Sequence, residues 1–364
     1  MPAAVAAAPR ASGAKRWTPR RVVITRSARE HAHGRRIAAR CAALGVPVEE
    51  LPGDRLTGLR GADDRDTYRR AKSTLAVVVA PPSAMRLQPI PPSADWQFHL
   101  ARGCPAHCQY CYLAGSLPGP PVTRAYANLD EILAALPAFE GRGTVTSRQA
   151  RRAHEGTTFE ASCYTDPLGL EHLTGSLARA VEHFAGRPAA SLRFTTKYDD
   201  VESLLGLRHE GRTRARFSVN AAWVARRYEG GTAGVPARLA ALGRMAGAGY
   251  PVGLTIAPIM PFDGWREGYA ALLGDVAHAL AGTPGADLTV ECITHRFTEG
   301  SKRVLRGWYP ASALEMDEDL RAQKRTRFGG AKHVYPKPVM AELRAFFERE
   351  LERRLHGAPL LYWT

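Results

Sequence analysis

Cys104, Cys108 and Cys111 lie in the run Arg102-Gly103-Cys104-Pro105-Ala106-His107-Cys108-Gln109-Tyr110-Cys111-Tyr112, with spacing C-x3-C-x2-C. Thiolates hold iron–sulfur clusters, and a cubane [4Fe–4S] cluster ordinarily takes four of them. Three on one loop hold three irons and leave the fourth open to an exogenous ligand. The competing reading is structural zinc, whose sites are closed, four-coordinate and built from paired C-x2-C or Cys/His units. No second C-x2-C pair follows Cys111, and His107 supplies a fourth ligand only in a cramped geometry. A disulfide framework does not suit a chain of this length without a secretory signature. A fourth cysteine, Cys163, stands in Phe159-Glu160-Ala161-Ser162-Cys163-Tyr164-Thr165-Asp166. It reads either as a small buried hydrophobe or as a thiol presented at a strand end.

The elements that must position these residues follow from the pattern. Apolar and β-branched runs predict strands at 96–101, 157–163, 191–197, 214–220, 252–258 and 287–293. Helical periodicity predicts helices at 128–138, 171–185, 200–206, 235–248, 265–281 and 338–354. Alternation of this kind predicts βαβ units and a parallel sheet. Six units are too few for a closed eight-stranded barrel, so the expected fold is α/β, a partial, open (β/α)6 barrel resembling part of a TIM barrel. Cys104, Cys108, Cys111 and Cys163 then share the C-terminal edge, where such sheets place their sites. Before it, a strand at 21–25, a helix over 28–44, a strand at 46–51 and the apolar run Ser73–Ala80 predict a small α/β lead-in. The expected division is a basic disordered leader 1–21, a small α/β region 22–90, and the partial barrel with a C-terminal basic hairpin over 91–364.

Composition bounds the rest. Hydrophobic content of 45% and charged content of 23% are those of a soluble globular protein. No run of about 18 apolar residues predicts a membrane span, and the Ala-rich start is no signal peptide. Cysteines without paired spacing fit a reducing cytoplasm. The net charge is +15. The leader contributes Arg10, Lys15, Arg16, Arg20 and Arg21 with no acid, and a second basic run holds Arg321, Lys324, Arg325, Arg327 and Lys332. Such a charge draws a protein to polyanions, nucleic acid first, although either run also reads as a solvated face.

The three-cysteine motif resembles that of radical S-adenosylmethionine (SAM) enzymes, and further stretches resemble the spore photoproduct lyase family within them. They include Ala71-Lys72-Ser73-Thr74-Leu75, Gly103-Cys104 through Leu113, Phe159-Glu160-Ala161-Ser162-Cys163, Arg216-Phe217-Ser218-Val219-Asn220, His295-Arg296-Phe297-Thr298 and Tyr362-Trp363-Thr364. The resemblance implies a [4Fe–4S] cluster on Cys104, Cys108 and Cys111, with SAM on the open iron. It implies a 5′-deoxyadenosyl radical that takes hydrogen from C6 of 5-thyminyl-5,6-dihydrothymine, after which the bond between the bases breaks. Cys163 occupies the place of the hydrogen-atom donor to the product radical, and Tyr110 and Tyr112 match tyrosines that pass a hydrogen back toward SAM. Lys197 matches a lysine that reaches the SAM carboxylate, and Thr165, Asp166, Ser218 and Ala257 match positions lining the SAM pocket. Arg327 matches an arginine on a hairpin against lesion-bearing DNA, with Phe328, Lys324 and Arg325 beside it. The implied partners are UV-damaged DNA and an electron donor such as a flavodoxin or ferredoxin, and a cytoplasmic monomer is expected.

The departures bear on lesion specificity. Tyr164 and Thr165 follow Cys163 where the family commonly has Thr-Ser, and Phe328 replaces a usual tyrosine. The alternatives are a radical SAM enzyme acting on another lesion or base, and a non-catalytic metal-containing nucleic-acid-binding protein. Cys41 and Cys292 are extra thiols, with Cys292 read as a core residue.

Overall fold

The computed structural model describes residues 13–117, 119–146, 149–325 and 330–364. In chain order the strands are β1 (Arg21–Ile24), β2 (Val48–Glu50), β3 (Thr74–Val78), β4 (Gln88–Ile90), β5 (Ala94–Phe98), β6 (Ala101–Arg102), β7 (His107–Cys108), β8 (Thr123–Tyr126) and β9 (Thr157–Ala161). They continue with β10 (Ala190–Thr196), β11 (Thr213–Val219), β12 (Glu229–Gly230), β13 (Val252–Ile259), β14 (Leu288–Thr294), β15 (Ala322–Arg325), β16 (Ala331–Val334) and β17 (Leu360–Trp363).

The large sheet runs β17-β14-β13-β11-β10-β9-β5-β4. The six strands expected from the sequence form its parallel centre, β5 to β14. Two edges were not foreseen: β17 adds in parallel beside β14, and β4 pairs antiparallel with β5. The strands alternate. Phe159, Leu192, Phe194, Ala215, Phe217, Leu254, Ile256, Val290 and Cys292 enter the apolar core, under helices such as Ser176–Ala185 and Val235–Gly247. Residues of the opposite parity, Glu160, Arg193, Arg216 and Glu291, meet one another on the inner face.

Those meetings measure the curl. Ser93, at the foot of β5, donates to Glu291 on β14 at 3.3 Å. In a flat sheet these strands would stand about 24 Å apart, at roughly 4.8 Å per step. The sheet therefore bends into a half-barrel with a charged interior. Gly253 makes room for that interior: a Cβ there would stand 2.7 Å from Cγ of Arg216.

The small sheet runs β2-β1-β3-β8-β6. Its parallel strands β1 to β3 come from the lead-in, whereas β6 and β8 come from either side of the cysteine loop. The loop thus leaves and re-enters this sheet. Composition predicted a disordered leader, but residues 13–20 lie along the body. Arg16 pairs with Asp200 at 2.6 Å, the Trp17 carbonyl accepts from His172 at 2.9 Å, and Trp17 packs on the small core. An indole, one ion pair and a main-chain hydrogen bond outweigh the charge count there. Residues 1–12 lie outside the described residues.

Candidate functional site

The cysteine loop is tied at its entrance. Gly103 has φ +82°, and a Cβ there would meet the Val122 carbonyl at 2.2 Å, so a side chain is excluded sterically and conformationally. Its N–H donates to the Tyr164 carbonyl at 2.8 Å, and its own carbonyl accepts from Thr165 Oγ1 at 2.5 Å. The cysteine loop and the turn that bears Cys163 are therefore one clamped unit. Further along, β7 pairs antiparallel with β12, placing Cys108 opposite Glu229 and His107 opposite Gly230. His107 Nδ1 is engaged by the Tyr68 hydroxyl at 2.8 Å, which accounts for the histidine inside the loop without a metal role.

Electrostatics couple the three thiols to one another and to two lysines. Burial pushes Cys104 up to about 12 against the pull of Lys72. Burial raises Cys108 against Lys197, and Cys111 against both lysines. Such thiols wait in the protonated form and release protons when metal binds. Among the described residues no three metal-binding side chains converge on the volume of a single ion. A cubane makes no such demand, since each thiolate takes a different iron. The donor set, sulfur only and flanked by cations, fits a cluster that carries negative charge.

Cys163 follows β9 across a tight turn rather than ending the strand as expected. Ser162 adopts φ +60°, unusual for a residue with a side chain. Its Oγ accepts the Leu100 N–H at 2.9 Å, and its N–H donates to the Phe98 carbonyl at 2.7 Å. The turn aims Cys163 away from the strand. The Tyr112 hydroxyl donates to the Cys163 carbonyl, while 64% of Tyr112 remains exposed. Burial, then the nearby Glu160 carboxylate, push the Cys163 thiol well above its ordinary range, so it carries its hydrogen at neutral pH.

Lys197 sits one residue past β10. Asp166 holds it by the main chain, accepting the Lys197 N–H at 2.6 Å, Thr196 Oγ1 at 2.8 Å and Gly169 N–H at 3.1 Å. Asp166 thus spends its acceptors on the protein and fixes the lysine's place. The ammonium reaches Glu229 at 2.9 Å and the Ala257 carbonyl at 3.5 Å, above the Tyr110 ring. Ala257 and Lys197 are thereby brought together, with Tyr110 donating its hydroxyl to the same Glu229. Arg238 completes the group, pairing with Glu229 at 2.5 Å and donating to the Ser218 carbonyl at 2.9 Å. Burial alone would raise the Glu229 carboxyl, but Lys197 and Arg238 outweigh it and hold it at about 2. Glu229 and Arg238 went unnoticed in the sequence, where Tyr228-Glu229-Gly230-Gly231 reads as a loop with no motif.

The basic hairpin is β15–β16. Lys324 and Arg325 are exposed, and Lys324 lies directly opposite Lys332. Like charges opposite each other destabilise a strand pair, so this pair suits a hairpin whose counter-charge comes from outside. Arg321 departs from the basic face expected of it: it is buried, paired with Glu315 and stacked 3.8 Å over Tyr335. Arg327 and Phe328 lie outside the described residues.

Parallel strands curled into a half-barrel, with three cysteines and the Lys197 ammonium at their C-terminal rim, define the radical SAM class of enzyme. A family model for spore photoproduct lyase matches residues 17–364. The chain is 37% identical to spore photoproduct lyase from Geobacillus sp. (strain Y412MC61), covering 96% of this chain and 100% of that protein. It is 36% identical to the Bacillus subtilis (strain 168) protein of the same name, covering 96% and 99%. A solved mutant spore photoproduct lyase with bound AdoMet and dinucleoside spore photoproduct superposes with a TM-score of 0.87 at 37% identity, covering 96% of this chain and 100% of that one. The chain belongs to the spore photoproduct lyase family.

Proposed function

We propose that this protein repairs DNA by direct reversal of the spore photoproduct, 5-thyminyl-5,6-dihydrothymine, to two thymines. Relatives alike over nearly the whole chain carry that name, and one is solved with AdoMet and the dinucleoside lesion. The single observation that carries the reading is the placement of Cys163. Its protonated thiol stands on a turn clamped to the three-cysteine loop, where product and donor must meet.

Cys104, Cys108 and Cys111 are the residues that hold the cluster, and the Lys197 ammonium is the point charge for the SAM carboxylate. Bound cluster and SAM together supply one-electron chemistry that yields a 5′-deoxyadenosyl radical. Cys163 gives its hydrogen atom to the thymine radical left after the lesion opens. Tyr112, touching the Cys163 main chain, is the nearer relay for returning hydrogen. Tyr110, bonded to Glu229, shapes the surroundings of Lys197. Thr165, Asp166, Ser218 and Ala257 line or brace the SAM pocket. Lys324 and Arg325 meet DNA phosphates, a sequence-independent, salt-sensitive attraction, and Arg327 with Phe328 contact the lesion-bearing DNA. Reaching that base requires extruding it from the duplex. An electron donor such as a flavodoxin or ferredoxin feeds the cluster, and the enzyme works as a cytoplasmic monomer. Among the described residues no helix is long and apolar enough to cross a membrane.

The test is anaerobic turnover of the iron- and sulfide-reconstituted, reduced protein with SAM and dinucleotide spore photoproduct. Thymidylyl-thymidine is the expected product. Release of 5′-deoxyadenosine without repair would point to another substrate, and neither product from a chain with an intact cluster would overturn the enzyme reading.

A further inference from the structure

Lys72 is 7% exposed and closes the helix Asp64–Lys72 at the back of the cysteine loop. Its ammonium donates to two main-chain carbonyls, those of Cys104 and Ala106. Both belong to the loop that carries the thiols. It also lies 5.9 Å from the centre of the Tyr68 ring. Among the described residues it forms no ion pair. The contrast with Lys197 is direct, because that ammonium has the Glu229 carboxylate at 2.9 Å.

A buried ammonium is costly to leave without a counter-charge, and carbonyl dipoles repay only part of its lost hydration. Proteins that keep such a group usually have an anion for it. The remaining anion that chemistry provides here is the cluster: three thiolates outweigh the charge of an oxidised cubane, and reduction adds one more negative charge. Net charge and nearby hydrogen bonding are what set cluster potentials, and residues behind the ligands tune a metal as strongly as the ligands orient it. We propose that Lys72 is the built-in counter-cation of the cluster, a positioning residue that raises its reduction potential and stabilises the reduced state. Among the described residues the other lysine near the thiols, Lys197, already has the Glu229 carboxylate as its partner.

The inference rests on the cluster reading, and the experiment separates the two. The parent, Lys72→Met and Lys72→Gln proteins are reconstituted anaerobically, and iron, sulfide and the reduced-cluster EPR signal are followed in a potentiometric titration without SAM. Glutamine can still donate to a carbonyl but carries no charge, so it distinguishes positioning from electrostatics. Both neutral variants are expected to hold a cluster whose reduced-to-oxidised ratio at fixed potential falls about tenfold, about 59 mV for one electron. An unchanged ratio, or a ratio restored by glutamine, overturns the counter-cation role. If neither neutral variant retains iron, Lys72→Arg decides: recovery with the charge supports the role, and continued loss makes Lys72 a steric brace only. A parent chain that assembles no cluster would instead overturn the cluster reading itself.

Discussion

Replacing Glu229 with glutamine keeps the shape of the side chain and removes one charge from a group of three. Glu229 is buried and carries Lys197 and Arg238 on its two oxygens. A carboxyl held at about 2 instead of 4.5 stabilises the fold by about 3 kcal/mol at neutral pH, at roughly 1.4 kcal/mol per pH unit. Breaking a buried pair from one side costs about 3–5 kcal/mol by a separate route, because the partners remain charged. The two figures agree, so Glu229→Gln is expected to lose about 3 kcal/mol at pH 7. The sign of the pH dependence follows from the depressed carboxyl. Its stabilisation is complete above the ordinary value of 4.5 and fades as pH falls toward 2. The gap between parent and variant should therefore be constant from neutral pH down to about 5 and close below that. Urea unfolding of the metal-free proteins across this range measures it. Equal midpoints at neutral pH, or a gap that widens in acid, would refute the assignment of Glu229 as the anion that organises Lys197 and Arg238.

Cys163→Ala is expected to cleave SAM and open the lesion yet yield adducts in place of clean thymine, read by mass spectrometry of the products; normal repair would end the donor assignment. Ser162→Ala should cost about 1–3 kcal/mol by stranding the Leu100 N–H and should also raise adduct formation by shifting Cys163, whereas Ser162→Gly, which accepts the left-handed backbone, should retain more of the clean product. Lys324→Ala should weaken DNA binding equally for damaged and undamaged duplex and lower the salt slope of affinity by about one; a lesion-selective loss would place it nearer the base.

The parallel centre of the fold was legible because its strands alternate with helices at regular spacing, and the helices at 235–247 and 265–280 fell where apolar periodicity put them. The cysteine loop was legible because its ligands are close in sequence. What escaped notice depends on residues far apart in the chain. Glu291 and Ser93 stand 198 positions apart yet touch, and only the closure of the half-barrel reveals it. Arg193 and Arg216 look like surface charges until the curl buries them against Glu291 and Glu160. Arg321 read as part of a basic face because charge counting cannot see the Tyr335 ring beneath it. Lys72 lay within a recognised stretch, but a lysine closing a basic helix end looks like ordinary solvated charge until its two carbonyl partners are located.

The small sheet has a consequence for how the chain assembles during synthesis. Strands β1, β2 and β3 leave the ribosome together and can pair at once, since they are parallel neighbours in the lead-in. The outer edge of β3 then has no partner until β8 emerges, from Thr123 to Tyr126, with the whole cysteine loop between them. An unpaired strand edge is a template for wrong pairing, and domains tend to fold from the N-terminus as they emerge. The nascent protein therefore passes through a stage in which an apolar strand, Leu75 to Val77, waits open-edged while the thiols are still unconfined. Closing that edge is the same event that draws the two ends of the cysteine loop together, so the loop is gathered by the folding of the sheet beneath it.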